Sequence, residues 1–394
     1  EVSRVCTRPR SALPDLCWWE AERRGGSCIA PAARRMTMHV HVLGICGYAT
    51  FGAATLALER GDRVTGSDDH AYPPMSDAVT AAGIQWENRS DPSNLDRWGT
   101  PDLVIVGNQT RPANLELEAV RQRGIPCVSE IEFYVELAGD RTRLTVCGTH
   151  GKTTTSALLV HILERACLHP GFRLGSTSLD LGGTSRLGTG PFVFEGDEYT
   201  SAPWDRRPKF LHTSPNGACV TRLELDHPDV YADLDAYRAP FIELAAMMPA
   251  DGVLALCADD PECLQLRSGT GSVVVTYGTN PASDWRIHEA RDDQHMQRFS
   301  VGRSDADALD VRLTIPGIHN AQNACAALIL AEYAGVDESV AVAACADFRG
   351  PARRFEILGE FGRIAVVDDY AHHPTEVTAA IDAARQRYPG RRII

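Results

Sequence analysis

Lys152 stands inside the run Gly148, Thr149, His150, Gly151, Lys152, Thr153, Thr154, Thr155. Glycines there let backbone N–H groups crowd round phosphate oxygens, and a helix N-terminus adds partial positive charge. The Lys152 ammonium would reach the β- and γ-phosphates of a nucleotide, and the Thr153 hydroxyl would sit on Mg²⁺. The general phosphate-loop pattern is missed at one place, because Val146 stands where its first glycine belongs. Downstream, residues 191–199 (PFVFEGDEY) form an apolar run that ends in Glu195, Asp197 and Glu198. A hard cation such as Mg²⁺ takes oxygen ligands, which carboxylates beside a phosphate loop supply. Residues 218–227 (ACVTRLELDH) read as another strand, ending in Glu224, Asp226 and His227. Such a set suits phosphoryl transfer, which needs charge neutralisation and alignment more than covalent help.

These residues need strands to carry them and a helix to receive the phosphate. The apolar residues 144–147 read as a strand. After the glycine turn, Ala157, Leu158, Leu159, Ile162 and Leu163 read as a helix. Ahead of this unit, residues 38–53 (MHVHVLGICGYATFGA) read as strand, glycine turn (Gly44, Gly47, Gly52) and helix, followed by a strand over 63–68. That is a Rossmann-like opening, although the glycines do not fit G-x-G-x-x-G. Strands are also expected near 102–107 and 125–128, and residues 251–315 alternate apolar and polar runs that fit the rest of a central sheet. Residues 316–323 (PGIHNAQN) open a long Ala-rich helix. Asn320 and Asn323 share a face of its first turn, where amides either meet an adenine edge or hold a neighbouring loop. Pro351 and two glycines suggest a linker, then a strand over 364–370 and a helix after Pro374.

The expected fold class is α/β. A Rossmann-like front domain (36–140) precedes a central P-loop ATPase domain with a mostly parallel sheet (141–347) and a truncated Rossmann-like C-terminal domain (348–394). Residues 1–35 hold Trp18, Trp19 and three Cys without clear periodicity, and lack the core of a secretory signal. They are read as a foreign, poorly ordered extension. The chain has 394 residues with 44% hydrophobic and 23% charged content, and its net charge of −13 argues against a general nucleic-acid binder. No apolar run approaches the ~18 residues of a membrane span. The 12 Cys are scattered singly and fit reduced thiols of a cytoplasmic protein rather than a disulfide frame or zinc site.

The GTHGKTTT loop resembles that of the Mur ligases, the ATP-dependent amide ligases of peptidoglycan precursor synthesis. The likeness runs from about residue 38 to the end. It includes the Gly44–Gly47 turn, Ser67, Asp68, residues 72–76 (YPPMS), and 107–118. It continues through 205–212 (DRRPKFLH), His319, Asn320 and Asn323, and 351–376. The resemblance implies ATP and Mg²⁺ as cofactors. The substrates it implies are UDP-N-acetylmuramate and an amine, either the tripeptide L-Ala-γ-D-Glu-meso-diaminopimelate or L-alanine. The front residues resemble the tripeptide-adding branch, whereas those around 369–376 are nearer to the L-alanine-adding one. In that likeness Gly44, Gly47, Ser67, Asp68 and His372 face the UDP-sugar substrate, and His150 lies near its carboxylate. Gly148, Thr149, His150, Gly151, Lys152, Thr153 and Thr154 hold the nucleotide phosphates. Thr153, Glu195 (or, second, Glu198) and His227 hold metal. Asn320 and Asn323 line the adenine pocket, Arg354 reaches the γ-phosphate and Asp369 the ribose. Lys152, Glu195, His227 and Arg354 would be the catalytic set.

ATP would phosphorylate the carboxylate, and the amine would then displace phosphate through a tetrahedral intermediate. The sequence departs from the family at Thr200, usually Asp, and at Arg222, usually Asn. Arg222 is open to pairing with Glu224 or with a substrate phosphate. The chain stops inside what the resemblance makes the third domain, so little or no turnover is expected of it, and a monomer or weak homodimer is expected. The rival of another class is a nucleotide-binding regulator that kept the fold and lost catalysis. Folylpolyglutamate synthetase shares the central fold but lacks this front domain.

Overall fold

The computed structural model describes residues 37–293, 295–303 and 306–394. The expectation for residues 1–35 lies outside them. The front sheet has five strands in the order Gln85–Glu87, Arg63–Ser67, His39–Leu43, Leu103–Val106, Cys127–Ser129. All neighbours pair in parallel. The chain steps outward one way from His39–Leu43, then returns to the other side of it. Ligands of open α/β sheets bind at such a reversal, beyond the carboxyl ends of the strands. The turn Gly44–Gly47 occupies that place, as the Rossmann-like reading of the sequence requires.

The central sheet has ten strands in the order Leu309–Leu313, Met296–Arg303, Trp285–Asp293, Val273–Gly278, Val253–Cys257, Gly217–Val220, Arg143–Cys147, Phe192–Glu195, Gly171–Ser178, Gly183–Arg186. Its middle is parallel, and antiparallel pairs lie at both ends. Strand Arg143–Cys147 is fully flanked, with Cys147 opposite Val220 on one side and Val146 opposite Glu195 on the other. The phosphate loop and the two acid-bearing segments therefore leave the same edge of the sheet from adjacent strands. The strands can be almost wholly apolar because both faces are covered. Helix Lys152–Arg165 is buried from Thr153 to Leu163, and its apolar residues share one core with those of helix Ile318–Tyr333.

Strand Gly217–Val220 is shorter than the sequence suggests. Residues 221–227 leave regular structure before His227, which has φ 55. Residues 348–394 form an antiparallel hairpin, Glu356–Phe361 with Ile364–Asp368, followed by helix Pro374–Arg387. Among the described residues no helix is long and apolar enough to cross a membrane.

Candidate active site

Three helices are opened by a glycine with no side-chain cap: Tyr48–Glu59 by Gly47, Lys152–Arg165 by Gly151, and Ile318–Tyr333 by Gly317. Each of these glycines lines a cavity. An uncapped first turn leaves N–H groups without partners, which suits an anion.

The central turn is tightly fitted. Gly148 has φ +117, and a Cβ there would lie 2.5 Å from Thr221 Oγ1. Gly151 has φ +80, and its Cβ would lie 2.3 Å from Asn323 Oδ1. The Thr149 N–H donates to the Arg222 carbonyl at 2.7 Å, and the Thr149 hydroxyl to the Glu224 carbonyl at 2.9 Å. Only glycine fits both φ and space at 148 and 151.

Lys152 Nζ donates to the carbonyls of Gly148 (2.6 Å) and Thr149 (3.0 Å) and to Glu198 Oε1 (2.7 Å). Burial works against its charge, but Glu198 outweighs it and holds the ammonium above its usual range. Glu198 is 1% exposed. Burial pushes its carboxyl up to about 7, against the pull of Lys152. Tyr237 donates to the same Glu198 oxygen at 3.0 Å. One residue along the helix, the Thr153 hydroxyl donates to Glu195 Oε1 at 2.6 Å, and the Gly175 N–H to Glu195 Oε2 at 2.6 Å. His227 lies against Tyr199, the neighbour of Glu198, with ring centroids 4.3 Å apart and the rings tilted by 47°. Burial, helped by Lys152 and opposed by Asp226, lowers its pKa. Its imidazole is therefore neutral near pH 7, the form that ligates metal. Lys152, Thr153, Glu195 and Glu198 thus form one centre, with His227 at its rim.

Behind this centre lies a buried ionic group. Arg173 donates to the Glu195 carbonyl (2.8 Å) and to Glu130 (3.2 Å). Lys209 meets Glu130 at 2.9 Å and Asp197 at 3.0 Å. Glu130 opens the last helix of the front unit, Glu130–Ala138. Sequence reasoning missed the roles of Arg173 and Glu130. The available signal was charge on apolar strands and helices that bury them.

Two adjoining cavities, of about 100 and 1090 Å³, share Arg222, His319, Gln322, Thr375 and Ala379. Asn320, Asn323, Arg354 and Asp369 all line the smaller one. Asn323 donates to Asn320 Oδ1 at 3.1 Å, and Asn320 to the Pro316 carbonyl at 2.6 Å. Arg354 lies 3.8 Å from Glu376 and over the Tyr370 ring. The Asp369 oxygens accept the N–H groups of Phe355 and Ala371. Gln322 and Asp259, which share a hydrogen bond at 2.5 Å, were not singled out from sequence. Arg222 pairs with Glu224 at 3.5 Å.

A third cavity of about 740 Å³ opens at Gly44, Gly47 and Asp68, with Arg353 and Tyr370 across from them. Asp68 accepts the N–H groups of Cys46 (2.9 Å) and His70 (2.8 Å). Two residues expected to face substrate sit elsewhere. Ser67 is fully buried and gives its hydroxyl to Glu116 at 2.8 Å. His372 is exposed and bonds the Tyr370 carbonyl at 2.9 Å. His150 lies between Glu224 and Glu376 rather than among the phosphate-loop amides.

Three family models match the chain: "Mur ligase family, catalytic domain" over residues 39–142, "Mur ligase middle domain" over 146–331, and "Mur ligase, glutamate ligase domain" over 353–394. A UDP-N-acetylmuramate–L-alanine ligase of Halorhodospira halophila is 37% identical over 361 residues, covering 90% of this chain and 72% of its own length. A UDP-N-acetylmuramate–L-alanyl-γ-D-glutamyl-meso-2,6-diaminoheptandioate ligase of Haemophilus influenzae is 35% identical, covering 89% of this chain and 77% of its own. The crystal structure of a UDP-N-acetylmuramate:L-alanyl-γ-D-glutamyl-meso-diaminopimelate ligase from Neisseria meningitides superposes with a TM-score of 0.75 at 32% identity. It covers 81% of this chain and all of that one.

Proposed function

The chain belongs to the Mur ligase family of ATP-dependent carbon–nitrogen ligases, and from that premise we propose that it joins the carboxylate of UDP-N-acetylmuramate to the amine of L-Ala-γ-D-Glu-meso-diaminopimelate. The observation that carries the reading is the meeting of Lys152, Thr153, Glu195 and Glu198 at the ends of two adjacent parallel strands. The front cavity takes the UDP-sugar, with its diphosphate against the Gly44–Gly47 turn. The phosphate loop takes ATP, with adenine toward Asn320 and Asn323 and the terminal phosphate toward Lys152 and Arg354.

A carboxylate oxygen of the sugar then attacks the γ-phosphorus, and ADP leaves. The amine nitrogen adds to the acyl carbon, loses a proton, and expels inorganic phosphate. Lys152 and Arg354 neutralise the charge of the transferred group, and the fixed loop amides keep it aligned. The Thr153 hydroxyl and the buried carboxylates of Glu195 and Glu198 are oxygen donors of the kind Mg²⁺ takes and would hold it, with His227 at their rim as a further donor. When bound there, Mg²⁺ supplies positive charge to the phosphate oxygens. On this reading the protein works in the cytoplasm. L-Alanine as the amine is the second reading, favoured by the 37% identical relative.

Phosphate release is measured with ATP, Mg²⁺ and UDP-N-acetylmuramate, adding either the tripeptide or L-alanine. Release with the tripeptide supports the proposal. Release with L-alanine alone replaces it by the second reading. On a version extended to the length of its relatives, tight nucleotide binding with release in neither arm overturns the ligase reading in favour of a binding protein.

A further inference from the structure

His150 lies at the centre of a cluster distinct from the oxygen-rich group at Glu195 and Glu198. Its Nε2 is 2.9 Å from Glu224 Oε2, and its Nδ1 is 3.1 Å from Glu376 Oε1. A neutral imidazole has one N–H and one bare lone pair, so it can donate to only one of these carboxylates. The other contact sets a lone pair against a carboxylate oxygen and requires a cation between them, either a proton or a metal ion. His373 adds a third donor. Its ring lies 4.8 Å from that of His150, and its Nδ1 is 3.6 Å from the same Glu224 oxygen. One donor atom from each of His150, Glu224 and His373 falls within 4.8 Å of the others.

Zinc bonds of about 2.0–2.1 Å in a tetrahedron give donor–donor edges of about 3.3–3.4 Å. The separations of 2.9 and 3.6 Å lie on either side of that edge. Glu376 on Nδ1 is the carboxylate partner that metal-bound histidines ordinarily have, and it leaves the Nε2 lone pair for a metal. The Nδ1 of His373 is engaged only by a long 3.3 Å bond from the Thr375 N–H, which a metal would replace. The three side chains are 12%, 30% and 23% exposed, so an ion can reach them.

We propose that His150, Glu224 and His373 bind one zinc-class divalent cation, with Glu376 orienting His150, and that the ion ties the phosphate loop to the start of helix Pro374–Arg387. Two nitrogens and one oxygen suit zinc or cobalt, whereas Mg²⁺ takes a shell made mostly of oxygens. The site and the Glu195–Glu198 centre therefore sort the two kinds of cation. The loop and the helix start are walls of the 100 Å³ cavity, so the ion holds those walls together. This inference needs no nucleotide or sugar and stands apart from the ligase reading.

Co²⁺, a coloured substitute for zinc, is titrated into the full chain in excess Mg²⁺. The expected result is one equivalent bound, with visible bands of tetrahedral cobalt, no thiolate charge-transfer band, and displacement by Zn²⁺. Glu376→Gln lowers Co²⁺ affinity by about 10–100-fold, and His373→Ala and Glu224→Gln each lower it at least that much. His169→Ala, at an exposed histidine elsewhere, leaves it unchanged. Near-ultraviolet circular dichroism checks that each variant is folded. Should His373→Ala fail that check, Glu224→Gln, which keeps the side chain's shape, decides. Absence of binding, unchanged bands in the folded variants, thiolate bands, or displacement by Mg²⁺ would each overturn the proposal.

Discussion

Two glycine turns in this molecule close parallel strands in the same way and are furnished in opposite ways. At the front, a Cβ on Gly44 would meet only Thr110 Oγ1, at 3.8 Å, and the tight contact at Gly47, 2.8 Å to Thr50 Oγ1, is within its own helix start. Asp68 is occupied by backbone N–H groups there, and the cavity is wide. In the centre, Cβ atoms on Gly148 and Gly151 would strike neighbours at 2.5 and 2.3 Å, and buried charges crowd behind the loop. A site that only holds a diphosphate can rely on backbone donors in an open turn. A site that moves a phosphoryl group needs charges fixed in advance, in a place where water does not screen them. The central packing is what fixes them.

The contrast breaks most sharply at Lys152. Lys152→Ala is expected to lower ATP-dependent ligation by at least about a thousandfold, while UDP-N-acetylmuramate affinity, read by calorimetric titration, stays the same. Equal loss at both sites would make the two turns one functional unit. Next, Glu130→Gln removes the more buried of the two acids that Arg173 and Lys209 share, the other being Asp197. Denaturant unfolding should show a loss of about 3–5 kcal/mol. A third comparison pairs the turns directly. Gly151→Ala should cost about 2–4 kcal/mol from left-handed strain plus overpacking, and Gly44→Ala about 1–2 kcal/mol from strain alone. Equal costs would mean the central loop yields more easily than its contacts suggest.

The smallest effect concerns pH. The Glu198 carboxyl is raised to about 7 by burial, so the stability it contributes is present below its unfolded value of 4.5 and is lost as pH rises through about 7. Glu376 runs the other way. Burial opposes its charge, but His150, the His372 N–H and Arg354 hold its pKa down to about 2, so its contribution is lost only in strong acid. Between pH 5 and 8 the Tm of the ligand-free protein should therefore fall by about 2–4 °C on account of Glu198. Glu198→Gln should flatten that slope, and an unchanged slope would assign it to another group.

The parts of this site that could be read from sequence are those written locally. Glycine, lysine and threonine in order between an apolar strand and an apolar helix fix the loop, and Glu195 ends its strand within the same kind of pattern. The Gly44–Gly47 turn was legible because its flanking strands are short and apolar. What stayed hidden depends on long-range pairing. His150 meets Glu224 and Glu376, and Arg173 meets Glu130, through contacts that leave no periodic trace in the chain. Ser67, expected at the sugar substrate, lies at the end of a strand buried over consecutive residues, where its hydroxyl meets Glu116. His372 and its neighbour His373 differ: one turns to solvent, the other caps a helix beside Glu224.

Arg173 has one N–H on the Glu195 carbonyl and another on the acid that opens the last helix of the front unit. Pulling the two sheets apart would take the buried Glu130 carboxylate from both Arg173 and Lys209 and leave Asp197 as the acid beside them. The two sheets should therefore open as one unit, with amide protons in both becoming exchangeable together.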